Sequence, residues 1–202
     1  MTTASASSRV PRRDARENRQ RLIQAASDVF GEHGTDVSLE VVAAEAGLGL
    51  ATLYRRFPTK DELIAELVEA VLGHLVEVAR RESAAEDGQG LERWLAEYAD
   101  IQFRKRGFVA RLWADPGTGE LRAELDGLLA ELLDAAHDAG RVRPELTVPD
   151  ILLVVHALRG VALSTGYDEP QAWRRLLALL LAGLRPGAAG LNAAPWSPRP
   201  RK

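Results

Sequence analysis

The segment at residues 38–60, SLEVVAAEAGLGLATLYRRFPTK, decides the fold of this chain. Apolar residues at helical spacing lie on both sides of the dipeptide Ala46-Gly47, which predicts two short helices joined by a tight turn. We expect these helices at residues 39–45 and at about 49–56. Gly47 stands where such a turn needs a positive φ, which glycine adopts without steric cost. The segment therefore predicts a helix-turn-helix.

The residue types in this segment also predict how the two helices pack. Ala43 is small where the helices must cross closely. The faces that fix the crossing are expected to be apolar: Leu39, Val42, Leu53 and Phe57. The second helix would then project five side chains outward: Leu50, Ala51, Thr52, Tyr54 and Arg55.

The flanking sequence predicts a helix on each side. A basic stripe (Arg12, Arg13, Arg16, Arg19 and Arg21) enters a first helix whose apolar positions are Leu22, Ala26, Val29 and Phe30. We expect Gly31 and Gly34 to end it, and Ser38 to cap the next helix. After Pro58, Thr59 would cap a long fourth helix that reaches about residue 81. One face of that helix is apolar: Leu63, Ile64, Leu67, Val71, Leu75 and Val78.

The remaining chain shows helical periodicity without the alternation typical of strands. Helices are predicted at about 91–105, 107–114, 118–139, 148–165 and 170–184, with breaks at Gly107 and at three Gly/Pro-containing stretches. The fold class is therefore all-α with about nine helices. We divide it into a disordered basic arm (1–13), a helix-turn-helix domain (14–60), a helical body (61–185) and a disordered tail (186–202).

Composition excludes several function classes. The chain has no cysteine, which excludes disulfides, thiol catalysis and Cys-ligated metals. It shows neither a secretory signal nor an apolar run long enough for a membrane span, so a cytoplasmic location is expected. The net charge is −3, yet residues 1–60 carry nine Arg and Lys against seven Asp and Glu. A basic head on an acidic body is typical of a protein whose head alone contacts DNA.

The motif resembles the TetR family of transcriptional regulators. The residues that carry the resemblance are Val42-Ala43-Ala44-Glu45-Ala46-Gly47, then Thr52-Leu53-Tyr54-Arg55-Arg56-Phe57, then Lys60. It covers about residues 15–65, while the rest of the chain is similar only in being helical and of suitable length.

The resemblance implies DNA-binding roles that suit these side chains. Phosphate contacts would come from Ser38, Thr52, Tyr54, Arg56 and Lys60, with Lys60 adding its charge to the positive end of the fourth helix. Leu50 and Ala51 would contact thymine methyl groups, and Arg55 could reach guanine. Arg9, Arg12 and Arg13 would either enter a flanking minor groove or remain a solvated basic patch.

For the body, the resemblance implies a dimer and an effector pocket. Two recognition helices about one DNA turn apart require two copies of the chain. The expected dimer face is Ile151, Val155, Leu158, Trp173, Leu177 and Leu180, although these side chains could instead pack within one monomer. The expected pocket lining is Trp94, Tyr98, Phe103, Phe108, Trp113 and His156, although each could be an ordinary core residue.

The sequence therefore predicts a homodimeric repressor that a small lipophilic or aromatic effector releases from an inverted-repeat operator, with no cofactor or metal. An enzyme is disfavoured, because His33, His74, His137 and His156 are dispersed and no catalytic motif is present. Glu92, Glu97 and Asp100 fit a solvated helix face better than a catalytic cluster. The other alternative is a helical ligand-binding or interaction protein without operator binding.

Overall fold

The computed structural model describes residues 10–109, 111, 116–164 and 170–187. These residues form nine α-helices and one 3-10 turn, with no strand among them, which confirms the predicted all-α class. The helices are α1 (Val10–His33), α2 (Leu39–Glu45), α3 (Leu50–Arg56), α4 (Lys60–Ser83), α5 (Gly90–Arg104), α6 (Arg106–Val109), α7 (Gly119–Asp138), α8 (Val148–Ser164) and α9 (Pro170–Leu184), with the 3-10 turn at Pro116–Thr118. No helix in these ranges is long and apolar enough to cross a membrane.

The chain start differs from the expectation. Because α1 begins at Val10, residues 10–13 are helical and do not belong to a disordered arm. Pro11 is tolerated there, since amides in the first helical turn have no intrahelical acceptor. The rest of the predicted arm, including Arg9, lies outside the described residues, as do Trp113 and tail residues 188–202.

The predicted apolar faces of α1 and α4 are both buried. Every residue proposed for them, from Leu22 to Phe30 on α1 and from Leu63 to Val78 on α4, belongs to the hydrophobic core. The helices α1, α2 and α3 form the head, while α4 packs on α1 and also on α5 and α7. The central helix of the body is α5, which contacts α4, α6, α7, α8 and α9.

The head meets the body where the end of α1 crosses the junction between α5 and α6. A Cβ added to Gly107 would lie 1.7 Å from the Phe30 carbonyl oxygen and 2.9 Å from Gly34 Cα. A Cβ added to Gly31 would lie 3.0 Å from the Arg104 carbonyl oxygen. The two backbones are therefore in contact, and any side chain on Gly107 would force them apart.

This crossing corrects two expectations. Gly31 does not end α1, which continues to His33, and Gly107 does not break a helix but lies within α6. The break falls slightly earlier, at Lys105, which follows the last residue of α5. Glycine serves at both positions because it has no side chain to separate the two backbones, and its tendency to interrupt helices is not expressed there.

We predict that Gly107→Ala lowers the free energy of unfolding by about 1–3 kcal/mol or more, because the added methyl overpacks a backbone contact. Gly127→Ala is the matched control: Gly127 lies exposed within α7, with nothing within 4 Å of an added Cβ. That change should stabilise the protein by about 0.5–1 kcal/mol. Urea denaturation at one fixed protein concentration measures both, and equal effects of the two substitutions would contradict the close crossing.

An ion-pair cluster holds the turn between α4 and α5. Arg93 donates to the buried carboxylate of Glu82 and, at 2.7 Å, to Asp87. Burial alone would raise the pKa of Glu82, but hydrogen bonds from Arg93 and Arg81 hold it below its usual value. The Arg93 hydrogen bond, aided by the Gln89 N–H, lowers the pKa of Asp87 to about 2.

These pKa values predict an acid-dependent contribution of Arg93 to stability. Both carboxyl pKa values are lower in the folded chain, so the stabilisation is complete above their unfolded values of about 4 and is lost as the pH falls toward about 2. Arg93→Gln should therefore be less stable than the parent at about pH 7, with a difference that shrinks between about pH 5 and pH 2. Arg80→Gln, which removes an exposed cation paired with Glu77 and Glu124, is the control. Urea denaturation across this pH range measures the free energy of unfolding of each protein. A difference between parent and Arg93→Gln that does not change with pH would contradict the role of the cluster.

Candidate nucleic-acid interface

The turn between α2 and α3 has the geometry that the sequence predicts. Gly47 has φ +62°, the left-handed conformation expected for it. The Gly47 N–H donates to the Ala44 carbonyl at 2.9 Å, and the Leu48 N–H donates to the Ala43 carbonyl at 2.9 Å. These bonds occupy carbonyls that would otherwise be unpaired at the end of α2. Glycine at this position therefore allows α3 to leave α2 at a sharp angle.

The faces that lock the two helices together are buried as expected. Leu39, Val42, Leu53 and Phe57 all belong to the core, and Ala43 is buried at the crossing. Because apolar packing fixes one side of α3, its opposite side is held in a defined orientation toward solvent.

That opposite side carries most of the residues proposed for DNA contact. Ala51, Tyr54, Arg55 and Arg56 are exposed, and Tyr54 has 48% of its surface accessible. Thr52 is half-buried. Leu50 is also half-buried and packs against the core, so it has less surface to offer a base than the sequence suggests.

Arg56 already has partners within the chain. Its guanidinium lies 3.8 Å from Glu66 Oε2 and 5.3 Å from the centre of the Phe57 ring. Glu66, on α4, also pairs with Arg19 of α1. One largely buried carboxylate thus links α1, α3 and α4. Motif spacing carries no signal of this link, because the three residues are far apart along the chain.

Lys60 also has an internal role that the motif alone does not reveal. Its ammonium donates to the carbonyl oxygens of Thr35 and Val37, each at 2.9 Å. These bonds tie the loop before α2 to the start of α4 and use two of the three ammonium donors. One donor is left for a phosphate. Thr59 caps α4 as predicted, since its Oγ1 accepts from the Glu62 N–H at 3.2 Å.

Ser38 has the backbone conformation of an N-cap, with φ −69° and ψ 152°, but its side chain makes no capping hydrogen bond. The residue is exposed beside the start of α2. The predicted position of Ser38 is thus observed, while the predicted capping bond is not.

Three of the residues proposed for an effector pocket are buried inside the body. Trp94 and Tyr98 stack on each other with ring centres 5.5 Å apart and are fully buried, and Trp94 Nε1 donates to the Leu75 carbonyl at 3.0 Å. Phe108 is also buried. Phe103 stacks instead on Trp173, with ring centres 6.1 Å apart. These aromatic side chains are packed between the helices of the body, and their role in lining an effector pocket stays a prediction.

His156 differs from these aromatic side chains. It lies on an exposed part of α8, where its Nδ1 contacts the Leu152 carbonyl of the same helix at 2.6 Å. His156 is therefore exposed, whereas Trp94 is fully buried. Among the described residues, no group of His, Asp and Glu is arranged to hold a metal ion.

The residues proposed for the dimer face also lie elsewhere than expected. Ile151, Val155, Leu158, Trp173 and Leu177 are buried within the single chain, and Leu180 is half-buried against its core. The five buried residues therefore have little surface to offer a second copy, whereas Leu180 keeps part of its surface accessible. The exposed large apolar side chains of the same helices, within their described residues, are Leu153, Leu163 and Leu179.

Two family models match the chain. The model described as bacterial regulatory proteins of the tetR family matches residues 22–67, which contain the helix-turn-helix. The model described as the C-terminal domain of SbtR-like transcriptional regulators matches residues 86–186, half of the chain. The chain belongs to the TetR family. The resemblance first seen in the helix-turn-helix motif is thereby confirmed, and it extends through the body.

Solved structures of TetR regulators have the same fold. A TetR transcription regulatory protein from Mycobacterium vanbaalenii is 29% identical, with a TM-score of 0.66 over 87% of this chain and 99% of that chain. A TetR transcriptional regulator from Streptomyces coelicolor is 32% identical, with a TM-score of 0.63 over 84% of this chain and 99% of that chain. The TetR-like regulator LfrR from Mycobacterium smegmatis, solved in complex with proflavine, is 19% identical, with a TM-score of 0.64 over 88% of this chain and 99% of that chain.

Curated relatives match a short stretch of the chain. An HTH-type transcriptional regulator of Staphylococcus aureus is 41% identical over 59 residues, which are 29% of this chain and 32% of the relative. The chain thus spans about a third of the length of the curated relatives it matches.

In this TetR-family chain, we predict that Lys60→Gln lowers the free energy of unfolding by about 1–3 kcal/mol, because two carbonyls lose a charged donor in a half-buried site. Arg55→Gln, on the exposed face of α3, is the control and should leave stability within about 0.5 kcal/mol of the parent. Thermal or urea unfolding without DNA measures both. An unchanged stability for Lys60→Gln would mean that Lys60 serves only as a surface cation.

Proposed function

We propose that this protein is a homodimeric, sequence-specific DNA-binding transcriptional repressor that a small molecule releases from its operator. The observation that carries the proposal is the exposed face of α3, where Tyr54 and Arg55 project from a helix whose other side is buried. Membership of the TetR family supports the same conclusion.

The exposed side chains suit the major groove. The Tyr54 and Thr52 hydroxyls can donate to phosphate oxygens, and Arg55 can donate to guanine. Ala51 can contact a thymine methyl group, whereas Leu50 would contribute only its exposed portion. Arg56 and Lys60 would reach phosphates while retaining their internal partners, so their first task is to hold α3 and α4 in place.

A fluorescently labelled duplex of random sequence tests DNA binding by anisotropy at about 50 to 200 mM salt. We expect binding that weakens steeply as the salt concentration rises. Arg55→Gln should weaken binding and lower the slope of the salt dependence, because the variant removes a cation from the exposed face of α3. Arg80→Gln, which removes an exposed arginine at the far end of α4, should leave both unchanged.

A folded parent protein that binds no DNA at the lowest salt would overturn the proposal. It would favour the alternative, a helical ligand-binding or interaction protein. Equal losses of affinity from Arg55→Gln and Arg80→Gln would instead mean that α3 is not the DNA-binding surface.

For the dimer we propose the outer stripe of α8 together with α9. Leu153 and Leu163 are 43% and 47% exposed on α8, and Leu179 is 56% exposed on α9. Between the two α8 leucines lie the small exposed residues Ala157 and Gly160, which permit another helix to approach closely. Two copies of this helix pair would form a four-helix bundle that buries all three leucines.

We predict that the double variant Leu153→Glu/Leu179→Glu is a folded monomer, since charges at these exposed positions oppose association without disturbing the core. Val41→Glu is the control: Val41 is 45% exposed on α2, away from the stripe, and its variant should stay dimeric. Light scattering at micromolar concentration gives the mass. A monomeric parent would remove the dimer from the proposal, and a dimeric double variant would place the interface elsewhere.

The proposed effector is a small lipophilic or aromatic molecule. The fold can hold such a ligand, because LfrR, which shares it, was solved in complex with proflavine. Release would follow a population shift in which the ligand favours a head spacing that no longer fits successive major grooves.

A further inference from the structure

A cavity of about 280 Å³ lies where the head meets the body, with walls from α1, α4 and α5. Its apolar wall includes Leu67, Val71 and Ile101. Its polar wall includes Ser27 and Lys105. None of the described residues predicted for an effector pocket lines it, so it is a different site from the one that the sequence suggests.

The polar wall contains a cation whose hydrogen-bond partner is a hydroxyl, with the charge of Asp28 also acting on it. The half-buried Lys105 ammonium donates to the hydroxyl of Ser27, itself buried, and forms no ion pair with any residue that the structure describes. Burial lowers the pKa of Lys105; the charge of Asp28 opposes that shift and the charge of Arg104 adds to it. Partial burial therefore disfavours the charged form of Lys105. The hydrogen bond to the Ser27 hydroxyl offsets only part of this cost.

The neighbouring polar groups already have hydrogen-bond or ion-pair partners of their own. The His74 Nε2 lies 2.8 Å from Glu97 Oε1, and Arg104 pairs with Asp100 one helical turn earlier. The carboxylate of Asp28 accepts two hydrogen bonds from Gln24 Nε2, at 3.0 and 2.9 Å. Arg104 and Lys105 are the arginine and lysine among the described residues that line the cavity; Arg104 has an ion pair, whereas Lys105 is bonded to a hydroxyl.

Lys105 also stands at the C-terminal end of α5, where a cation is favoured. The end of a helix supplies only about half an elementary charge, spread over several carbonyls. A full negative charge placed beside the ammonium in a partly buried site would therefore interact more strongly than the helix end does.

We propose that this cavity binds a small amphipathic carboxylic acid, with its carboxylate on Lys105 and Ser27 and its apolar part against Leu67, Val71 and Ile101. A larger cleft of about 950 Å³ adjoins the cavity and shares Ile23, Gln24 and Ala70 with it. An acid with a short alkyl chain therefore fits better than acetate, because the chain gains apolar contact.

The position of the cavity gives binding a regulatory consequence, which rests on the proposed function. The ligand would contact α1 of the head together with α4 and α5 of the body. It would favour the head position in which all three walls are in place, and so change the affinity for DNA.

The test titrates hexanoate, acetate and hexanamide into the ¹⁵N-labelled full chain without DNA, so that its outcome does not depend on DNA binding. We expect hexanoate to shift the amide signals of Ser27, Val71 and Lys105, and to bind about tenfold more tightly than its neutral isostere hexanamide. Acetate should bind more weakly than hexanoate.

Variants assign the preference to the ammonium. Lys105→Gln should bind hexanoate and hexanamide equally, while Lys105→Arg should keep the preference for the acid and so show that the site tolerates replacement. Arg80→Gln removes a cation outside the cavity and is the matched control; this variant should also keep the preference for the acid over the amide. The proposal is overturned if hexanoate does not bind, if the parent binds acid and amide equally, or if Lys105→Gln retains the preference.

Discussion

The rest of the structure depends on the backbone contact between the end of α1 and the start of α6. Gly107 and Gly31 allow the two backbone segments to approach more closely than a residue with a side chain would permit. Since α1 also packs on α2 and α4, this contact fixes the head on the body. The orientation of α3, and with it the direction of every exposed side chain on that helix, follows from where α1 is held.

Polar groups of the head reinforce this constraint. Lys60 ties the loop before α2 to α4, and Glu66 joins Arg19 to Arg56 across α1, α3 and α4. Cations that look like DNA ligands in the motif therefore also stabilise the head. Tyr54 and Arg55 are exposed, and no residue that the structure describes forms an ion pair with Arg55 or a hydrogen bond with the Tyr54 side chain, so both side chains are available for DNA. The cavity proposed for a carboxylic acid is lined by α1, α4 and α5, close to the contact that holds α1 on the body. A ligand bound there would therefore affect the position of the head.

The sequence predicts the helix-turn-helix well because local physical rules decide it. The bounds of α2, the positive φ of Gly47 and the buried face formed by Leu53 and Phe57 all follow from spacing and steric freedom. The body is harder to predict. Helix α8 is apolar on nearly all sides, with an unbroken apolar run at residues 151–155, so periodicity cannot show which side faces inward. Five of the six residues predicted for the dimer face are buried inside the chain, and Leu180 is half-buried. Aromatic composition likewise cannot separate pocket lining from the stacked pair of Trp94 and Tyr98.

Selection of bound sequences from a pool of random duplex DNA is the measurement that tests the central claim most directly. If two copies present α3 to successive major grooves, the selected sequences should contain an inverted repeat with half-sites about one helical turn, or roughly 10 base pairs, apart. Repeating the selection at higher salt should lose the weak sequences first and leave the repeat. Failure of the folded protein to enrich any sequence at low salt would contradict the claim that this TetR-family chain reads an operator.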